Sequence, residues 1–365
     1  MPKFIPGLEL SRLFFEQIVQ PRIVAEFPAL PYSATLIGSG SEVLGFDTAM
    51  SADHHWGPRM ILFLREDDAA QYASAIHERL RHTLPHTFLG YPTNFSPPNP
   101  DDNNTQLLQE TTEGPVNHRV ETGTLHGFFQ NYLAYDIDEP IEPADWLTFS
   151  EQKLRSITAG AVFRDDLGLE SIRERLRYYP HDVWLYLLAA GWTRISQDEH
   201  LMGRAGFVGD DIGAAIIGAR LVRDIMRLCF LMERQYAPYA KWFGTAFSQL
   251  ECAKELAPVL RQAVHADDWQ DRQQHLATAY EIIAAKHNVL GLTDPLPEKP
   301  VSFFGRPFQV IFGTRFADAL GAQITDPAVK RLTQRSLIGS LEQFSDSTDL
   351  CSDSSWREAL RGLYE

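Results

Sequence analysis

The chain is poor in cysteine, in positive charge and in long apolar runs, and each shortage excludes something. Cys229, Cys252 and Cys351 are the only cysteines in 365 residues, far apart and odd in number. That excludes a disulfide framework or a zinc knuckle and leaves ordinary thiols in a reducing compartment. Lys and Arg number 33 against 48 Asp and Glu, a net charge of −15. A general nucleic-acid or membrane-surface binder needs a basic face, so a long nucleic acid is not an expected partner. A local basic pocket for a nucleotide stays compatible with this balance. The longest apolar run, Val183 to Trp192, covers ten residues, whereas a membrane span needs about twenty. The N-terminus has no basic-then-apolar signal pattern. The chain is therefore expected to be soluble and cytoplasmic. It also lacks a P-loop lysine pattern, a Gly-x-Ser-x-Gly elbow and a dinucleotide fingerprint.

What is present is enough apolar material for a sizeable core, 44% of the residues, in a length that suits about two domains. Residues 8–27 have apolar residues at helical spacing, ended by Pro28 and Pro31. Ala34–Ile37 and Met60–Leu64 read as buried strands. Asp68 to Leu84 reads as an amphipathic helix capped by Asp67 or Asp68. Residues 91–114, rich in Pro, Asn and Asp, read as a long loop, either a lid or a surface excursion. Asn117–Leu125 reads as a third strand. From Ser150 the pattern turns helical, with helices expected over 163–179, 182–195, 211–236, 239–260 and 268–290. Residues 303–312 are ambiguous between strand and loop. The expected architecture is α+β: a small mixed sheet with helices in a domain over 1–145, then an α-helical bundle domain over 146–365.

One stretch points to chemistry. Ile37-Gly38-Ser39-Gly40-Ser41 follows the first strand, and eleven residues separate Ser41 from Asp53-His54-His55. A Gly/Ser turn after a strand exposes backbone amides to a phosphate, because glycine tolerates positive φ and close approach. A helix following such a turn adds a favourable field. Asp53 and residue 55 flank one position at a strand start, so their side chains share a face. Two carboxylates there would hold Mg²⁺. The second residue is His55, and imidazole suits softer ions, with Mn²⁺ still compatible. Glu121 is the candidate third ligand, or else a solvated strand-end charge, and Asp47 is an alternative from the preceding loop. Arg59 suits a bidentate phosphate clamp or a strand-edge salt bridge. Arg220, Arg223 and Arg227 recur at helical spacing. Lys241, between Tyr239 and Trp242, suits a phosphate or base contact, or snorkels at the surface. Asp165-Asp166 reads as a helix cap or surface pair.

Leu36-Ile37-Gly38-Ser39 through Asp53-His54-His55-Trp56 resembles the nucleotidyltransferase fold signature. The longer text, Gly38 to Gly45, Asp53 to Arg59, Tyr179 to Trp184 and Pro238 to Trp242, resembles an uncharacterised bacterial family with a nucleotidyltransferase-like domain. The resemblance implies transfer of a nucleoside monophosphate from a nucleoside triphosphate such as ATP to a hydroxyl of a small molecule or protein. It implies Gly38, Ser39, Gly40 and Ser41 on the phosphates, with Arg59 and Lys241 as further nucleotide contacts. It implies catalytic Asp53 and Glu121 around Mg²⁺ or Mn²⁺, with His55 as the third candidate for catalysis and metal binding. His55 stands where the signature has an acid. Three outcomes follow from that departure: His55 ligates directly, Asp47 replaces the missing acid, or the chain is a catalytically inactive nucleotide-binding or regulatory protein.

Overall fold

In the computed structural model, which describes residues 3–51 and 54–365, four strands form one mixed sheet: β1 (Ser33–Leu36), β2 (Arg59–Phe63), β3 (Arg119–Gly123) and β4 (Ala161–Asp165). The order is β3-β2-β1-β4. β1 is central and all four of its residues are buried, as expected of a strand paired on both edges. It runs antiparallel to β2 and to β4. β2 and β3 are parallel, which requires a crossover, and the helix Glu66–Thr83 supplies it. Backbone contacts divide the chain into two units, Met1–Pro140 with Lys153–Arg177 and Ile141–Gln152 with Tyr178–Glu365.

The first unit is held by the N-terminal helical segment, Gly7–Phe14, a π-turn Phe15–Val19 and Gln20–Glu26. Its Leu10, Phe14, Phe15 and Val19 pack with Met60 and Leu62 of β2, Ile76 and Leu80 of the crossover helix, and Val120 of β3. Each such side chain contributes about 1.5–3 kcal/mol on leaving water. The crossover helix starts from Arg65 with no side-chain cap, not from Asp67 or Asp68. Glu66, Asp67 and Asp68 instead fill its first turn, where carboxylates favour the positive end of the helix dipole. The 91–114 segment is fastened by backbone bridges between Phe95 and Leu108 and between Asn99 and Thr105, with Phe95 fully buried.

The expected helix over 163–179 is replaced by β4 and a shorter helix, Leu169–Arg175. The reason is local. Asp165 Oδ1 accepts from Ser33 Oγ at 2.6 Å and from the Gly168 and Leu169 amides at 2.9 Å, so it stops the strand and caps the helix. The cap reading of Asp165 is thus what the geometry shows.

The second unit is built on helices. His181–Asp198 carries the ten-residue apolar run, and Val183 to Trp192 are all buried, as a helix surrounded by partners requires. Trp192 stacks on Phe316 at 4.0 Å between ring centroids. Further helices span Leu201–Phe207, Asp211–Met232, Trp269–Val289 and Gly313–Gln323. The expected helix over 239–260 is two helices, Ala240–Phe247 and Ala253–His265. Glu233 accepts from the Glu251 and Cys252 amides at 2.8 Å and fixes the break. Residues 303–312 contribute to a two-stranded hairpin, Val301–Ser302 with Gln309–Val310. No described helix is long and apolar enough to cross a membrane.

Candidate functional site

Strand directions gather the candidate residues. β1 is antiparallel to β2 and β2 is parallel to β3. The C-terminal end of β1 therefore lies beside the N-terminal ends of β2 and β3. Gly38 to Ser41 leave β1 there, Arg59 opens β2, and Arg119 pairs directly with Arg59 at the start of β3.

The turn has the backbone its glycines permit. Gly38 has φ +90° and Gly40 φ +144°. The Gly38 amide donates to the Ser156 carbonyl at 2.9 Å. Among the described residues, no backbone carbonyl accepts from the amides of Ser39, Gly40 or Ser41. Ser39 is exposed and the next two residues half-buried, so solvent reaches a turn with three adjacent amides that no backbone carbonyl occupies, a precondition for receiving an anion. No helix follows; residues 41–45 continue as turn, so the amides act without a helix dipole. Tyr132 hydrogen-bonds to the Ser39 and Ser156 side chains, and burial pushes its phenol above the usual tyrosine range.

Arg59 is committed to this turn. Its Nε donates to Glu42 Oε1 at 2.8 Å, and its Nη2 donates to Glu42 Oε1 and to the Ser39 carbonyl, both at 2.6 Å. The salt-bridge role thus holds for Arg59, with a buried partner, and it props the Gly/Ser turn.

His55 adopts φ +56°, an uncommon backbone for a non-glycine residue. Its amide donates to the Gln106 carbonyl at 2.9 Å, and the Gln106 amide donates back to His55 Nδ1 at 3.3 Å. The long loop thereby reaches the site. Arg119 Nη1 also contacts His55 Nδ1, and Arg119 Nη2 donates to Glu121 Oε1 at 2.6 Å. Two obligate donors converge on Nδ1, so that nitrogen is the acceptor and the ring proton sits on Nε2. Burial, then the charges of Arg119 and Arg59, hold the imidazole below its ordinary pKa. His55 is therefore a neutral ring offering an N–H. Arg119 Nε is itself buried without an acceptor among the described residues.

Among the described residues, the Nδ1 lone pair of His55 and Oε1 of Glu121 both face Arg119, so a guanidinium lies between two of the three expected metal ligands. Asp53 lies outside the described residues. Asp47, the alternative acid, accepts from the Gly7 amide at 2.6 Å and from Trp56 Nε1 at 2.9 Å, so its carboxylate ties the N-terminal helix to a buried tryptophan. Among the described residues the three-residue grouping with metal-like spacing is His126, Asp136 and Asp138, with ligand atoms within 4.8 Å of one another; none was a sequence candidate. Lys241 belongs to the second unit, its Nζ 5.0 Å from the Trp242 ring. Arg220 pairs with Asp198, Arg223 with Asp346 at 3.2 Å and Arg227 with Glu151 at 3.4 Å.

Sequence reasoning missed Arg119, Glu42, Gln106 and Tyr132. Arg119 had a signal: it stands two residues before Glu121 on a strand, on the same face.

The family model of a domain of unknown function, DUF4037, matches residues 146–243. A search of curated protein sequences finds no match. Among solved structures, a nucleotidyltransferase-like protein from Exiguobacterium sibiricum 255-15 is similar over 87% of this chain and 89% of its own, at 10% identity and a TM-score of 0.35.

Proposed function

We propose that the first unit binds a nucleoside triphosphate at this end of the sheet, as a nucleotidyltransferase-like protein that senses or holds the nucleotide. The observation that supports the reading is the presence, at one sheet end, of three amides without a backbone acceptor, Ser39 to Ser41, and of the guanidinium of Arg119. Backbone amides in a glycine turn cradle phosphate oxygens. Arg119 adds a charge-assisted contact. His55, as an Nε2–H donor, suits a phosphate oxygen better than a cation. On this reading Arg119 turns from Glu121 to the phosphates, and binding does not depend on Mg²⁺ or Mn²⁺.

A second reading is transfer of the nucleoside monophosphate to a small-molecule or protein hydroxyl. It is favoured by the Glu121 side chain, which stays 54% exposed at the same end, and it requires Asp53 and a release of Glu121 from Arg119. Incubation with each nucleoside triphosphate and Mg²⁺ or Mn²⁺, read as pyrophosphate release, separates the two. Binding without pyrophosphate release is the result the first reading expects. Turnover that Asp53→Ala abolishes would establish the second.

A further inference from the structure

The second unit holds a cavity of about 480 Å³, a size that takes a small organic ligand. Three cations, Arg223, Arg227 and Lys241, line it beside two acids, Glu342 and Asp346, in a chain whose net charge is −15. Arg223 and Arg227 stand four residues apart on the helix Asp211–Met232, hence on one face. Lys241 comes from the first turn of the helix Ala240–Phe247. Arg227 pairs with the buried Glu151 at 3.4 Å; the compensation of the other two is incomplete. Asp346, the partner of Arg223 at 3.2 Å, has a side chain 81% exposed. Glu342 is buried, bound to Ser150 Oγ at 2.7 Å and to the Glu151 amide at 2.6 Å, and burial pushes it towards the neutral acid. Lys241 makes no ion pair within 4.0 Å among the described residues. Tyr239 and Phe243 line the same walls, and the Arg227 guanidinium lies 5.3 Å from the Phe243 ring centroid.

We propose that this cavity is a separate ligand site for a small phosphate monoester carrying a flat ring, with Arg223 and Lys241 on the phosphate and Tyr239 against the ring. A dianionic group satisfies two cations approaching from different helices, which a single carboxylate does less well. The ring uses wall area that water would leave apolar. The site does not depend on the nucleotide reading of the first unit, because none of its residues belongs to that unit.

Calorimetric titration of the full chain with phenyl phosphate, inorganic phosphate and benzoate tests this. Phenyl phosphate should bind most tightly. Lys241→Ala and Arg223→Ala should each weaken it by about tenfold or more, the loss expected of a charge-assisted contact. Tyr239→Ala should weaken phenyl phosphate while leaving inorganic phosphate unchanged. Lys254→Ala, an exposed position on the helix Ala253–His265 and outside the cavity, should leave all three titrations unchanged. Thermal melts of the variants confirm that the fold persists. No binding of either phosphate to the wild type at millimolar concentration would overturn the proposal. So would equal affinity in the Lys241 and Arg223 variants, or loss of binding in Lys254→Ala.

Discussion

The Glu42 carboxylate and the Arg59 guanidinium meet at 2.6 Å with side chains only 3% and 12% exposed, and the same guanidinium nitrogen holds the Ser39 carbonyl. The shape of the Gly/Ser turn is therefore set by a buried ion pair. Removing one member leaves the other charge uncompensated, at a cost of about 3–5 kcal/mol. Glu42→Gln should lower stability in urea unfolding by an amount near the lower end. Replacing both, with Glu42→Leu and Arg59→Met, should recover most of that stability yet still lose triphosphate binding, because the Ser39 carbonyl is no longer held. Full binding in the double variant would show that the turn does not need the pair.

Gly40 sits where no side chain fits. A Cβ there would lie 2.5 Å from Arg59 Nη2 and 2.6 Å from Glu42 Oε2, at φ +144°. Gly40→Ala should destabilise by about 1–3 kcal/mol through backbone strain alone, and it should weaken nucleotide binding by displacing Arg59. Urea unfolding alongside a nucleotide titration reads both effects. A variant with unchanged stability would contradict the close approach.

Arg119 decides the metal question. Arg119→Leu releases the Nδ1 of His55 and the carboxylate of Glu121 together. Calorimetry with Mn²⁺ should show no binding to the wild type at this site and measurable binding to the variant, lost again in Arg119→Leu with Glu121→Gln. Nucleotide affinity should fall in the single variant by about tenfold or more, as for other lost charge-assisted contacts. Mn²⁺ binding to the wild type that Glu121→Gln removes would contradict this account.

Two buried histidines make a pH prediction with a definite sign. His118 accepts the Val120 amide at Nδ1 and bonds the His77 carbonyl through Nε2, and burial lowers its pKa to about 4. Burial does the same for His287, which accepts from Trp192 Nε1 at 3.3 Å. A folded-state pKa below the ordinary value of about 6.5 means that each ring favours folding above that pH and that this contribution is lost as pH falls towards 4. Ring-proton NMR should show both histidines neutral down to about pH 4, with stability falling over the same window. Titration of either near 6.5 would contradict its burial as a neutral ring.

Much of the first unit is legible in the sequence because its signals are local. β1 and β2 are short apolar runs closed by turn residues, and Gly38 and Gly40 mark a turn that only glycine can make. β4 is not legible, because Ala161–Asp165 becomes a strand only by pairing with β1, a partner more than a hundred residues away. The helix split between Phe247 and Ala253 depends in the same way on Glu233. At the site, Gly38 to Ser41, His55, Arg59 and Glu121 were legible as candidates by residue type. Their partners were not. That His55 and Glu121 share Arg119, and that Arg59 belongs to Glu42, are facts of register and burial, which composition and spacing do not carry.

The most direct test is calorimetric titration of ATP and the other nucleoside triphosphates into the wild type, in EDTA and then in Mg²⁺ or Mn²⁺, repeated with Arg119→Leu. The account predicts binding in EDTA that metal does not strengthen and that Arg119→Leu weakens. A triphosphate at a hundredfold excess over its Kd should then also stabilise the fold by about 2.7 kcal/mol. Binding that appears only with metal, or that ignores Arg119, would contradict the claim that a guanidinium takes the place of the ion.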